Sequence, residues 1–426
     1  MLPLAGMRII AIEQYGAGPY GTMQLADLGA DVIKIENPSD GGDMGRRVGP
    51  YFLTPDDSHF FESFNRNKKS LTLDLKKDGA REVLHALTRS ADGVLNNLRG
   101  DLPGSLGLTY AALKDANPRI VCAHLSAYGR TGPRANWPGY DYLMQAEAGY
   151  LSLTGEPDGP PTRMGLSIVD MMTGLFAAFA LLSGIIAARD TGVGRDIDVS
   201  LFDCALQNLN YLATWYLNEG HRQGREPRSS HPSLTPSQLY RTRDGYIFIM
   251  CNKEKFWPVL CEMIGRPDLA SDPNFRTFKE RLANRDKLTV LLDEALSGRT
   301  TAEWLAHFAG RVPAAPVNDV ETQDRALTPE GRVAPDATVR VPPDAETGSV
   351  VPSFCAAMAL LTVMAVVCEG VALTTATTPL PITVVLTPYA TQVKDPVPAW
   401  QDKDFPAPVR AGPAATESPL SDDCGN

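Results

Sequence analysis

The chain has 426 residues, 40 basic against 50 acidic, for a net charge of −10. That length accommodates two or three domains with substantial cores, and an acidic balance without a basic stripe argues against a nucleic-acid partner. Seven scattered cysteines form no CxxC pair and six histidines show no HxxxH spacing, so reduced thiols in a cytoplasmic protein are expected and a metal site is not.

The opening, MLPLAGMRIIAIEQ, lacks the basic start and long apolar core of a signal peptide. MRIIAIE predicts a strand, QYGAGPYG a loop, TMQLADLGA a helix and DVIKIE a second strand, together a βαβ unit. Gly16, Gly18 and Gly21 spell GxGxxG and Glu36 closes the second strand, the pattern of a dinucleotide fold. Glu13, Gln14 and Tyr15 separate the strand from the first glycine, however, and Pro19 removes an N–H that would serve a pyrophosphate. The stretch is read as a glycine-rich turn, which leaves a phosphate-bearing ligand open and a nicotinamide dehydrogenase a distant alternative.

A polar loop, NPSDGGDMGRRVGPYF, carries Arg46 and Arg47. A strand then emerges in KKSLTLDL from a basic turn whose Arg66, Lys68 and Lys69 are expected in solvent. Helix REVLHALTRSA, strand DGVLNN, loop LRGDLPGSLGLTY, helix AALKDAN and strand RIVCAHLSAYG continue the alternation. The expected fold class is α/β, with a large, doubly wound, Rossmann-like parallel sheet. One further helix is expected across YDYLMQAEAGYLSL.

From Met171 to Ala188, Ala, Leu, Met and Phe dominate a run too long for a strand and apolar nearly all round, which predicts a buried helix. Asp170 stands directly before it. It reads either as the N-cap of that helix or as a nucleophile beside backbone donors that would stabilise an oxyanion. RDIDVSL alternates as a strand, and FDCALQNLNYLATWYL resumes helical spacing.

HRQGREPRSSHPSLTPSQ is a Pro, Arg and Ser-rich connection. Strands LYRTR and YIFIMCN flank the Asp244-Gly245 hairpin signal, and FWPVLCEMIG, FKERLANRDKLTVLLDEALSG and TAEWLAHFAG are helical. The boundaries are drawn at 1–222 for the large domain, 223–320 for a smaller α+β domain and 321–426 for a C-terminal segment. In that segment FCAAMALLTVMAVVC is too short to span a membrane, and 402–426 is expected to be disordered.

These pieces resemble the class III coenzyme A transferases, the family of formyl-CoA transferase, carnitine CoA-transferase and the bile-acid-inducible enzymes. The matching stretches are collinear: LAGMRIIAIEQYGAGPYGTMQLADLGADVIKIENP, FNRNKKSLTLDLK, NNLRG, SAYGRTGPRANWPGYDYLMQAEAGYLSLTGEPDGPP and GVGRDIDVSLFD. HPSLTPSQLYRTRDGY, FWPVLCEMIGRPDL and VPAAPVNDV look like the family's small domain.

The resemblance implies that Asp170 is the catalytic nucleophile and that CoA thioesters are substrates, with no permanently bound cofactor. The implied partners are an acyl-CoA and a small carboxylic acid. It puts CoA contacts on Gly16, Ala17, Asn37, Leu73, Lys76, Asn97, Leu98, Arg99 and Tyr140, and acyl contacts on Tyr15 and Met164. Basic residues of the family are replaced by Asn37 and Ser105, so Arg99, Lys76, Arg46 or Arg47 would supply the charge opposite the phosphates. An aspartate at its ordinary pKa of about 3.9 would be ionised at neutral pH and need no base.

In the related α-methylacyl-CoA racemases a proton-transferring His stands where this chain has Tyr140, a poor base at neutral pH, which favours acyl transfer. A racemase-like enzyme and a non-catalytic CoA-binding protein are the alternatives. The family further implies an interlocked homodimer whose C-terminal segment returns to the large domain. Here the stretch after Pro342 is unlike the family's, through a shifted reading frame or a lineage-specific replacement.

Overall fold

The strands of the large domain read as apolar runs because both faces of their sheet are covered. The computed structural model describes residues 2–321 and 382–383. Six parallel strands are β1 (Arg8–Ile12), β2 (Asp31–Glu36), β3 (Lys69–Thr72), β4 (Gly93–Asn96), β5 (Val121–Ser126) and β6 (Arg195–Ser200), in the spatial order β6-β5-β4-β1-β2-β3. A two-residue strand, Ile382–Thr383, pairs in parallel with β6 at Ile197 and Asp198. The fold is α/β and doubly wound, and strand order reverses between β1 and β4. Sheets of this kind bind ligands at the carboxyl ends of the strands beside such a switch point.

Alternation along the strands sorts the core into two layers. Ile9, Ala11, Leu95, Val121, Ala123 and Leu125 face the helices α1 (Ala17–Asp27) and, further along the chain, α3 (Ile168–Thr191). Ile10, Ile12, Val94 and Cys122 face the other side, against Leu84, Leu108 and Leu113. The helices α1 and α3 approach closely enough that a methyl group on Gly21 would strike the Gly174 carbonyl, and one on Gly174 the Ala17 carbonyl.

By length and composition α3 could cross a membrane, yet Val169, Thr173, Ala177, Leu181, Ile185 and Ala188 lie along its spine within the core. The expectation of burial all round does not hold. Among the described residues, cover comes from α1, the sheet and the helices 141–147 and 201–207, and Leu175 is left 47% and Ile186 60% exposed.

The smaller α+β unit has the antiparallel strands β7 (Ser237–Arg241), β8 (Tyr246–Met250) and β9 (Ala314–Pro316), with β8 central. Its core gathers Tyr240, Ile247, Trp257, Leu292 and Trp304. Three stretches expected as single helices are interrupted. YDYLMQAEAGYLSL forms α2 (Asp141–Glu147) and breaks at Gly149, whose φ of +94° ends the helix. FDCALQNLNYLATWYL divides before Asn210, and FKERLANRDKLTVLLDEALSG divides at Asn284. The expected disorder of 402–426 and the atypical segment after Pro342, save Ile382 and Thr383, lie outside the described residues.

Candidate active site

Asp170 is the third residue of α3 rather than its N-cap, because Ile168 and Val169 enter the helix ahead of it. The capping carboxylate comes from elsewhere: Asp141, the first residue of α2, accepts the Asp170 N–H through Oδ2 at 2.9 Å. Its Oδ1 accepts Gln145 Nε2 at 2.6 Å. Gln145 also takes the Met164 N–H on Oε1 at 2.9 Å and donates to the Leu166 carbonyl at 3.1 Å. Four residues apart, Asp141 and Gln145 share one side of α2, and together they staple the segment 163–166 to the start of α3.

From the other side, the turn after β1 presses on the same carboxylate. A Cβ on Gly16 would overlap Asp170 Oδ2, so a side chain at this position would have to displace that carboxylate. Tyr15 has a φ of +69°, a left-handed conformation that costs a non-glycine residue about 1–3 kcal/mol. Asp43 holds it there, accepting the Tyr15 N–H at 2.9 Å. Beneath the turn, Lys34 Nζ lies 2.8 Å from Asp43 Oδ2 and 2.9 Å from the Glu13 carbonyl, while Lys68 Nζ meets Glu13 Oε1 at 2.8 Å. Lys68 was expected in solvent. It is buried instead, and burial lowers its pKa to about 8 even with Glu13 beside it.

Asp170 itself is only 8% exposed, and among the described residues no hydrogen bond reaches its carboxylate. Burial, and secondly the Asp141 charge, lift its pKa to about 7. The expectation of an ordinary, fully ionised aspartate therefore fails: near neutral pH both protonation states are populated. One phenol, Tyr15, is within electrostatic reach of it. The Tyr15 hydroxyl is raised by burial and then by Tyr142, Asp170 and Tyr140, and its ring packs on Phe60 at 5.1 Å. The first N–H groups of α1, on Ala17 and Gly18, have no hydrogen-bond partner among the described residues.

Six of the nine residues expected to hold CoA directly follow the carboxyl ends of strands: Gly16 and Ala17 after β1, Asn37 after β2, Leu73 after β3, Asn97 and Leu98 after β4. Gly16 and Ala17 are brought to Asp170. The others are joined to it by no hydrogen bond or ion pair among the described residues. Asn97 is locked to Gln14, accepting its N–H at 2.9 Å and donating to its carbonyl at 2.7 Å. Asn37 caps a short turn, accepting from Ser39 and donating to Asp40.

Of the cations expected to face phosphate, Arg99 clasps Asp101 at 2.6 and 2.8 Å, and Arg47 donates to the carbonyls of Asp40 and Gly41. Arg46 grips both oxygens of Glu36 at 2.8 Å and stacks on Phe61 at 3.7 Å. Burial alone would raise Glu36, but Arg46, Ser70 and the Asp43 N–H overrule it and bring its pKa to about 2. Among the described residues, the Lys76 ammonium makes no hydrogen bond or ion pair and is the uncommitted member of the four. Tyr140 precedes α2 and is 57% exposed, and Met164 is also exposed.

Residues 4–359 match the model of CoA-transferase family III. This chain belongs to that family. Among similar proteins, the acetyl-CoA:oxalate CoA-transferase of Acetobacter aceti is 39% identical over 321 residues, covering 75% of this chain and 81% of that one. The succinate–glutarate CoA-transferase of Agrobacterium fabrum is 33% identical over 366 residues, covering 82% and 87%. A CAIB/BAIF family protein from Brucella suis has a crystal structure that matches with a TM-score of 0.69 at 32% identity, covering 84% of this chain and 99% of that one. The chain is accordingly a CoA-transferase, acting on CoA thioesters.

Sequence reasoning missed Asp141 and Gln145 in this CoA-transferase, although their spacing of four in YDYLMQ was a usable sign of a shared helix face. It also missed Asp43 and Lys34. The signal there was a lysine in the middle of the apolar strand DVIKIE, a position that demands a buried partner.

Proposed function

We propose that this CoA-transferase moves CoA from an acyl-CoA donor to a free carboxylic acid, a small acid or a dicarboxylate, through covalent intermediates on Asp170. The observation that carries the reading is a buried carboxylate with no hydrogen bond of its own among the described residues, approached closely by the backbone of a glycine at the turn before α1. The printed activities of relatives, on oxalate in one and on succinate and glutarate in another, agree in class.

In the first step an Asp170 oxygen attacks the donor thioester carbonyl and the C–S bond breaks, leaving a mixed anhydride and CoA thiolate. The thiolate then attacks the Asp170 carbonyl, releasing the donor acid as carboxylate and forming an aspartyl-CoA thioester. The acceptor carboxylate attacks that thioester, displacing thiolate and forming a second anhydride. Attack of the thiolate on the acceptor's carbonyl yields the new acyl-CoA and free Asp170. The unpaired N–H groups of Ala17 and Gly18 are suited to the oxyanions of these steps. Gly16, Ala17, Asn37, Leu73, Lys76, Asn97, Leu98, Arg99 and Tyr140 would line the CoA path, and Tyr15 and Met164 the acyl group.

A homodimer is part of the same reading, supported by the uncovered apolar side chains Leu175 and Ile186 on α3. Cytoplasmic residence is supported by the free, buried thiols of Cys122, Cys204, Cys251 and Cys261. The test is intact-protein mass spectrometry after mixing with a panel of acyl-CoAs, followed by hydroxylamine or borohydride trapping and peptide mapping. A trapped product on Asp170 that vanishes in Asp170→Ala is expected; CoA binding with Asp170 never modified would refute the covalent route.

A further inference from the structure

We propose that Arg163 selects dicarboxylic substrates, by holding the distal carboxylate of the acyl group while the other end reacts at Asp170. The inference rests on the transfer chemistry proposed above and adds to it the residue that reads the acid.

An exposed aromatic and apolar rim is connected to the Asp170 site: Tyr140 and Tyr142 are within electrostatic reach of Tyr15, as Tyr15 is of Asp170, and Met164 and Leu166 are bonded to Gln145, the partner of Asp141. Arg163 brings a single kind of exception to that rim, a cation with no carboxylate beside it among the described residues. Its guanidinium lies 4.2 Å from the centre of the Tyr142 ring. One nitrogen, Nη1, donates to the carbonyls of Met164 and Gly165 at 2.7 and 3.1 Å. Nε and Nη2 make no hydrogen bond among the described residues, so two donors of the planar fork remain open. Arg46, Arg99 and Arg130 differ in this respect, for each is already clamped on an acid, Glu36, Asp101 and Asp198.

The placement of Arg163 is tied to that of the nucleophile. The next residue, Met164, gives its N–H to Gln145; Gln145 is bonded to Asp141; Asp141 accepts the N–H of Asp170. Guanidinium and carboxylate thus hang from one hydrogen-bonded scaffold. Tyr142, under the guanidinium, is within electrostatic reach of Tyr15, and Tyr15 within that of Asp170. A guanidinium stacked on an aromatic ring is weakly hydrated and matches a carboxylate with two parallel N–H bonds. A monocarboxylic acyl chain would present only a methyl group to it and gain nothing.

The experiment uses the full chain, with succinyl-CoA and butyryl-CoA as donors and succinate and butyrate as acceptors, pairs matched in carbon number. kcat/KM is measured for the native enzyme, Arg163→Gln and Arg163→Lys. The native enzyme is expected to favour the dicarboxylic member by about tenfold or more, and Arg163→Gln to lose about 10- to 100-fold on it alone, the range of a charge-assisted hydrogen bond. Arg163→Lys, which keeps charge without the fork, should fall between. No dicarboxylic preference in the native enzyme, or an equal loss for both members in Arg163→Gln, would overturn the role of Arg163. Turnover of none of the four compounds would overturn the transfer reading and this inference with it.

Discussion

The raised pKa of Asp170 makes a prediction about stability that needs no substrate. The carboxyl moves from its ordinary value of 3.8 to about 7 on folding, so the native state binds the extra proton between those values. Stability linked to this group is fully present below the unfolded pKa and is lost as pH rises through the folded one. The shift of about 3 units corresponds to about 4 kcal/mol in all, at about 1.36 kcal/mol per unit. Between pH 5 and pH 8, where titration of the unfolded chain is already well advanced, the linked loss is about 2–3 kcal/mol. Asp170→Asn has nearly the same shape and carries no proton to lose. Urea unfolding of both proteins across this range should show the variant gaining about 2–3 kcal/mol on the native chain from pH 5 to pH 8. Curves that stay parallel over those three units would refute the burial of an uncompensated carboxylate at the head of α3.

Two further substitutions separate the parts of the site. Gly16→Ala puts a methyl group where Asp170 Oδ2 lies, so turnover should fall at least about 100-fold while far-UV dichroism and the melting temperature hold; a variant of native activity would contradict the close approach. Asp141→Asn removes the nearest like charge, so the acid limb of the kcat/KM profile, which reports Asp170, should move to lower pH by about half a unit to one unit. An unmoved limb would leave Asp141 with its capping role only.

The sheet was legible because β1, β2, β4 and β5 are covered on both faces and their apolar runs say so. The glycine-rich turn was also legible: Pro19 and the three residues before Gly16 spoke against a dinucleotide site, and Glu36 is in fact consumed by Arg46. The cap of α3 was not. Local sequence offered Asp170 itself, whereas the capping oxygen belongs to Asp141, 29 residues away. Lys34 was missed and Lys68 misled for the same reason, since Asp43 and Glu13 become their partners only when separate loops meet beneath Tyr15. Composition marked α3 as apolar all round but carried no information on which face the fold would leave uncovered. Local periodicity reveals an element, while the identity of its neighbours is a property of the whole chain.

The same distinction bears on the nucleophile. Composition makes Asp170 an acid of pKa about 3.9, weakly basic and weakly nucleophilic. Its surroundings make it a carboxylate whose charged form is poorly solvated: helix-facing burial without a hydrogen bond, and Asp141 turned toward its N–H. With a pKa of about 7, about half the molecules are ionised at neutral pH, so the cost in active form is about twofold. Against that stands the greater basicity of every ionised copy, which for an attacking oxygen raises reactivity toward a thioester carbonyl. Conversion to an anhydride with the acyl group or to a thioester with CoA removes the buried charge altogether. On the proposed chemistry, then, the covalent intermediates relieve the electrostatic penalty of the resting carboxylate, so burial favours their formation from free Asp170, and the penalty is restored when the cycle returns it.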